Sequence, residues 1–113
     1  MEGTVQGSVR GIAASPDSHR GRARVIQSLD EASSLEDSDV LVVRSTTPPW
    51  TPFFGVIGAL VTNSGGALSH GAVVAREFGL PAVVGTKNGT TLIRDGDTVT
   101  VDGTAGVVVI ELQ

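Results

Sequence analysis

The stretch from Leu60 to Gly85, L-V-T-N-S-G-G-A-L-S-H-G-A-V-V-A-R-E-F-G-L-P-A-V-V-G, limits the fold more than any other part of the chain. It follows on from Ala59, and Ala59 to Thr62 reads as a short apolar strand. Gly65 and Gly66 come next, where the backbone is free to adopt conformations that other residues resist. Ser69 to Phe78 then reads as a helix. Ser69 suits its N-cap, with a hydroxyl able to accept from the N–H of Gly71 or Ala72. Gly79 fits the C-terminal stop, with Pro81 just beyond, and Ala82 to Val84 is a further strand. A glycine loop of this kind turns several N–H groups toward one point. The first N–H groups of the helix lack partners, and its dipole favours an anion there. His70 therefore stands where a phosphate would be welcome.

The flanking sequence supplies mostly strands. Val5 to Ala13 reads as one strand, followed by a turn at Ser15-Pro16-Asp17. Gly21 to Ile26 reads as a second strand, expected to pair with the first as a hairpin with a long loop. Residues 30–39 form a short helical turn in a polar connection, and Val40 to Val43 is a buried strand. Thr46-Thr47-Pro48-Pro49 breaks the chain. Trp50, Phe53, Phe54 and Ile57 then fall on one face of a short helix ended by Gly58, with Pro49 and Pro52 tolerated in its first turn. Thr90 to Ile93 reads as a helical turn. Thr98 to Asp102 and Gly106 to Ile110 form a terminal hairpin. With 113 residues, no internal repeat and helices inserted between strands, the expectation is one α/β domain spanning residues 1–113, with a substantial β component.

Composition narrows the function. The hydrophobic fraction of 40% supports a real core, and the aromatic fraction of 4% leaves Val, Ile, Leu and Ala to fill it. The net charge of -4 and the lack of a Lys/Arg-rich run argue against a nucleic-acid partner. The acidic cluster near Asp30 to Asp39 reads as a solvated loop. The absence of cysteine excludes disulfides and thiol chemistry and fits a reducing cytosol. No apolar run approaches the roughly 18 residues of a membrane span, and no signal-peptide core opens the chain. A soluble, cytoplasmic protein without a membrane partner is expected.

Histidine suits covalent group transfer. Imidazole keeps a neutral, nucleophilic nitrogen near neutral pH, and attack on a phosphoryl donor splits one transfer into two easier ones. Loop and helix N–H groups would stabilise charge on the transferring oxygens. A lone histidine at a helix start is, however, more often a cap or surface residue. The local pattern alone names neither ligand nor reaction.

The run Gly65-Gly66-Ala67-Leu68-Ser69-His70-Gly71-Ala72-Val73-Val74-Ala75-Arg76-Glu77, followed by Gly79-Leu80-Pro81-Ala82-Val83-Val84-Gly85, resembles the phosphohistidine signature of the phosphoenolpyruvate (PEP)-utilising enzymes. That group includes PEP synthase, pyruvate phosphate dikinase, enzyme I of the sugar phosphotransferase system and rifampin phosphotransferase. Weaker resemblance extends over Gly11 to Pro16, Gly21-Arg22-Ala23, Thr46 to Pro52 and Asp95 to Gly106. Trp50-Thr51-Pro52 and Ser69-His70-Gly71-Ala72 look closest to rifampin phosphotransferase and PEP synthase-like proteins. The resemblance implies a compact swivelling β/β/α mobile domain in which His70 is the phosphorylated residue. Gly65, Gly66, Ser69 and Gly71 are the expected phosphate-stabilising groups. It also implies an ATP-grasp nucleotide-binding domain and a second substrate or PEP-binding domain as partners, in cis or in trans, with ATP and Mg on the partner and no cofactor or metal on this domain. Three positions depart from the family. Leu68 replaces the regulatory threonine of PEP synthase and the dikinase, Asp17 replaces the glycine of Ser-Pro-Gly, and Thr47 replaces the acid of Thr-Asp-Pro.

Other residues carry less. Arg76 lies six positions after His70, about 240° around the helix and about 9 Å along it, too far for a phosphate clamp. A docking or salt-bridge role is expected instead. His19 is expected to be solvated in a polar turn, and Lys87 does not complete a G-x-x-x-x-G-K-[ST] phosphate loop. Trp50, Phe53 and Phe54 are expected in the core. A serine hydrolase with Ser69 as nucleophile would need a base histidine well downstream, and none follows His70. A non-catalytic interaction module with the same fold is the remaining alternative.

Overall fold

Val40 to Val43 is apolar at every position because both faces of its strand are covered. Its side chains alternate between two cores. Val40 and Val42 join Ala59, Val61, Val83, Val99, Val101, Val108 and Ile110 on one side. Leu41 and Val43 join Leu60, Ala82, Val84, Trp50, Phe54, Ala72 and Ala75 on the other.

The computed structural model describes residues 5–111. Its strands are β1 (Val5–Arg10), β2 (Ile12–Ser15), β3 (Ser18–Val25), β4 (Val40–Val43), β5 (Ala59–Thr62), β6 (Ala82–Val84), β7 (Thr98–Asp102) and β8 (Val107–Glu111). Helix α1 spans His70–Phe78, α2 is a single turn at Gly89–Leu92, and 3₁₀ segments cover Leu29–Ser34 and Pro48–Gly55. The strand order is β1-β8-β7-β3-β4-β5-β6-β2. From β3 to β6 the pairs are parallel, and β2 closes that half antiparallel to β6. The β1-β8-β7-β3 half is antiparallel. Strand β3 serves both halves, Ser18–Arg22 against β7 and Ala23–Val25 against β4.

The two ends of this order, β1 and β2, are separated in the chain by Gly11 alone. The sheet must therefore fold back on itself, placing the antiparallel half over one face of the parallel half. Helix α1 and the Pro48–Gly55 segment cover the other face. The layers are β/β/α, as the resemblance implies. Close backbone approach seals the fold-back. The Gly11 N–H donates to the Gly106 carbonyl at 2.9 Å, and a Cβ on Gly11 would lie 2.5 Å from the Val84 carbonyl oxygen. A Cβ on Gly103 would collide with the Ser15 carbonyl.

Three expectations need correction. Residues 5–13 are not one strand paired with 21–26: the chain turns at Gly11, β1 pairs with β8, and β2 pairs with β6. The Pro48–Gly55 segment is 3₁₀ rather than α-helical, consistent with prolines at 48, 49 and 52 that cannot donate. Trp50 and Phe54 are nonetheless buried there, with Phe53 packed against them. His19 lies in β3, half-buried, with Nε2 2.8 Å from the Ser38 carbonyl oxygen. Its ring occupies the space a Cβ on Gly58 would need.

Candidate functional site

The site stands at the carboxyl edge of the parallel strands, where β5 leads into the glycine loop and α1. Gly65 adopts φ 102, a conformation that L side chains rarely adopt, and a Cβ there would meet Ser69 at 2.8 Å. Gly66 has open space around it; its carbonyl accepts from the Ser69 N–H at 3.0 Å and the Ser69 hydroxyl at 2.7 Å. Ser69 is the N-cap residue, as its sequence position suggests, but its side chain does not cap the helix. The hydroxyl turns back and closes the loop. Gly79 ends α1 at φ 72, its N–H directed to the Ala75 and Arg76 carbonyls.

His70 is the first residue of α1 and is half-buried. Its Nδ1 lies 2.8 Å from Thr46 Oγ1, and its Nε2 lies 3.3 Å from Thr51 Oγ1. The ring stands edge-on to Phe54, with centroids 6.3 Å apart. Thr46 is buried after β4, and Thr51 lies in the 3₁₀ segment. Two separate elements thus orient the imidazole. Gly71 permits this approach, since a Cβ there would come within 3.0 Å of both Thr46 Oγ1 and Leu60. A recess of about 50 Å³ beside the ring is lined by Ser45, Thr62, Ser64, Gly65, Ser69 and Gly71, among others. The expected residues Gly65, Ser69, His70 and Gly71 therefore meet at one place, with Gly66 closing the loop behind them.

Thr46 and Thr51 are the partners of His70 that sequence reasoning misses. Both lie within the Thr46 to Pro52 stretch of weaker resemblance, which otherwise reads only as a chain break and a helix start. Among the described residues Arg76 makes no salt bridge. Its guanidinium donates to the Ala14 carbonyl at 2.7 Å and the Ala67 carbonyl at 2.6 Å. It ties the histidine loop to the end of β2.

Comparison with known proteins places this geometry in a family. Residues 35–106 match the PEP-utilising enzyme, mobile domain. Rifampicin phosphotransferase of Bacillus subtilis is 50% identical over 104 residues, which cover 92% of this chain and 12% of that protein. PEP synthase of Aeropyrum pernix is 48% identical over 101 residues, covering 88% and 12% respectively. The chain thus spans only a small part of the length of these relatives. The solution structure of an Enzyme I protein aligns with a TM-score of 0.61 and 38% identity, over 70% of this chain and 33% of that one. With the family match spanning the glycine loop, both threonines and α1, the chain belongs to the mobile-domain family of the PEP-utilising enzymes.

Proposed function

We propose that His70 is a transient phosphoryl carrier between two partner domains. One observation carries the proposal: both imidazole nitrogens are oriented by threonine hydroxyls at the start of a helix. With the proton on Nδ1 and donated to Thr46, Nε2 keeps its lone pair. The Thr51 contact is the longer of the two, so Nε2 is freed when that hydroxyl turns away. The Nε2 lone pair attacks phosphorus, the bond to the donor's bridging oxygen breaks, and that oxygen leaves with the electron pair. In the second half-reaction an acceptor oxygen attacks the same phosphorus and displaces Nε2.

Charge on the phosphoryl oxygens would meet the N–H groups of Gly65, Gly66 and Gly71, and the Ser69 hydroxyl once it releases Gly66. The reading assigns the donor to an ATP-grasp domain that holds ATP and Mg, and the acceptor to a substrate or PEP-binding domain, in cis or in trans. The matched stretch is 12% of each of these relatives, which leaves room for both. Among the described residues no helix is long and apolar enough to cross a membrane.

Intact mass after incubation with donor domains of the rifampicin phosphotransferase and PEP synthase types tests the proposal. The expected result is an acid-labile gain of one phosphate that is absent in His70→Ala. No gain with either donor, from a folded chain, would leave an interaction module that keeps the fold without the chemistry.

A further inference from the structure

A groove of about 980 Å³ lies at the same carboxyl edge of the sheet and shares Ser45, Ser64 and Gly65 with the recess beside His70. Its floor is built from the loops that leave three successive parallel strands. The Ser64 N–H and hydroxyl both donate to the Arg44 carbonyl at 3.0 Å, and the Lys87 N–H donates to the Asn63 carbonyl at 2.8 Å. The Asn63 side chain is itself held by Thr90, through bonds of 2.8 and 3.0 Å. The loops are thus stitched to one another, and the edge is not free to collapse.

Two cations project from this floor. Arg44 follows β4 and Lys87 follows β6; both are exposed and line the groove. Arg20, Arg22 and Arg24 are all paired with carboxylates, whereas Arg44 and Lys87 make no salt bridge among the described residues. Lys87 also adopts φ 74, a costly conformation for a side-chain-bearing residue that is held here by its backbone bond to Asn63. In a chain of net charge -4, two unpaired cations over a braced floor form a local attraction for anions. Crevices outside the carboxyl ends of parallel strands are where α/β sheets receive ligands.

We propose that Arg44 and Lys87 make this groove a binding site for the anionic, non-transferred part of the small molecule that exchanges phosphate with His70. The ligand class is a phosphate- or carboxylate-bearing metabolite, held so that its phosphoryl group faces the recess. The biological sense rests on the carrier reading, but binding is measurable without any transfer. The ¹⁵N-labelled chain is titrated separately with ATP, PEP and inorganic phosphate, following the amides of Arg44, Ser64 and Lys87. Saturable shifts of these amides with ATP or PEP are expected, and an Arg44→Gln, Lys87→Gln double variant should bind about tenfold more weakly or worse while melting like the parent. ATP as the tighter ligand identifies a nucleotide phosphate chain. PEP as the tighter ligand identifies a small phosphorylated acid, and inorganic phosphate equal to both identifies a bare phosphate contact. No saturable shift with any of the three, or equal affinity in the double variant, overturns the proposal. Binding in the groove together with no phosphorylation of His70 by either donor domain would overturn the carrier reading and leave the groove standing.

Discussion

Thr46 holds Nδ1 of the imidazole, and on the carrier reading, in which Nε2 takes the phosphoryl group, this makes it as consequential as the histidine it holds. It reaches Nδ1 from a position 24 residues away in the chain. The Thr46-Thr47-Pro48-Pro49 break is evident from sequence, but a hydroxyl that meets a ring nitrogen only through packing of two elements is not. His70 itself was legible, because a glycine loop before a helix start is a local feature. Thr46→Val keeps the shape and removes the acceptor. The Nδ1 proton is then left without a partner in a half-buried site, at a cost of about 1–3 kcal/mol. The ring loses its fixed angle, and the rate of phosphorylation by a donor domain should fall by about 10²-fold. Thr46→Ser, which keeps the hydroxyl, should restore most of the rate. Quenched-flow phosphorylation and thermal melting of both variants check this; a folded Thr46→Val chain with the parental rate would dispose of the tether.

The elements differ in how openly the sequence declares them. Helix α1, with its stop at Gly79, and the β7–β8 hairpin are local and could be read directly. Strand partners could not. Alternation assigns side chains to faces, not to neighbours, so it does not declare the β1–β2 corner at Gly11, where the Val84 carbonyl excludes a Cβ. The glycine loop shows the same limit in reverse, because two adjacent glycines look alike but do different things. Gly65→Ala must hold φ 102 against Ser69, costing about 1–2 kcal/mol from backbone conformation alone, and should slow His70 phosphorylation. Gly66→Ala meets no neighbour and should melt within about 0.5 kcal/mol of the parent. Equal melting losses for the two would refute the assignment. Across the antiparallel half, Arg20 of β3 grips Glu111 of β8 with two bonds, one of 2.9 Å. The hydrogen bond to Arg20 holds the Glu111 carboxyl below its ordinary range. A lowered folded-state value adds stability above the ordinary carboxylate range, and that stability is lost as pH falls through the lowered value. The effect is small because the pair is solvated. In Arg20→Gln, the carboxyl ¹³C titration midpoint of Glu111 should rise toward the ordinary carboxylate value; an unmoved midpoint would show that the fork is not populated in solution.

At the scale of the molecule, the carrier reading makes this a small body that offers His70 and depends on other domains for both halves of the reaction. The Cα radius of gyration is 12.3 Å and the longest extent is 40 Å. A body of that size diffuses freely, and encounter with a donor then limits turnover unless a linker holds the two together. A short flexible tether supplies an effective concentration of the order of millimolar. For the free chain mixed with a donor domain at micromolar concentrations, phosphorylation of His70 should therefore be second-order, rising linearly with donor. Fused to the same donor through a flexible linker, it should become independent of protein concentration. It should also be faster by about 10²–10³-fold at micromolar protein, the ratio of the two concentrations. The comparison separates carriage from catalysis, because the linker changes no group at the site. If the free chain at micromolar donor already matched the fused rate, an interface on this domain would be providing the proximity. The carrier would then be built for exchange between separate proteins rather than for motion on a leash.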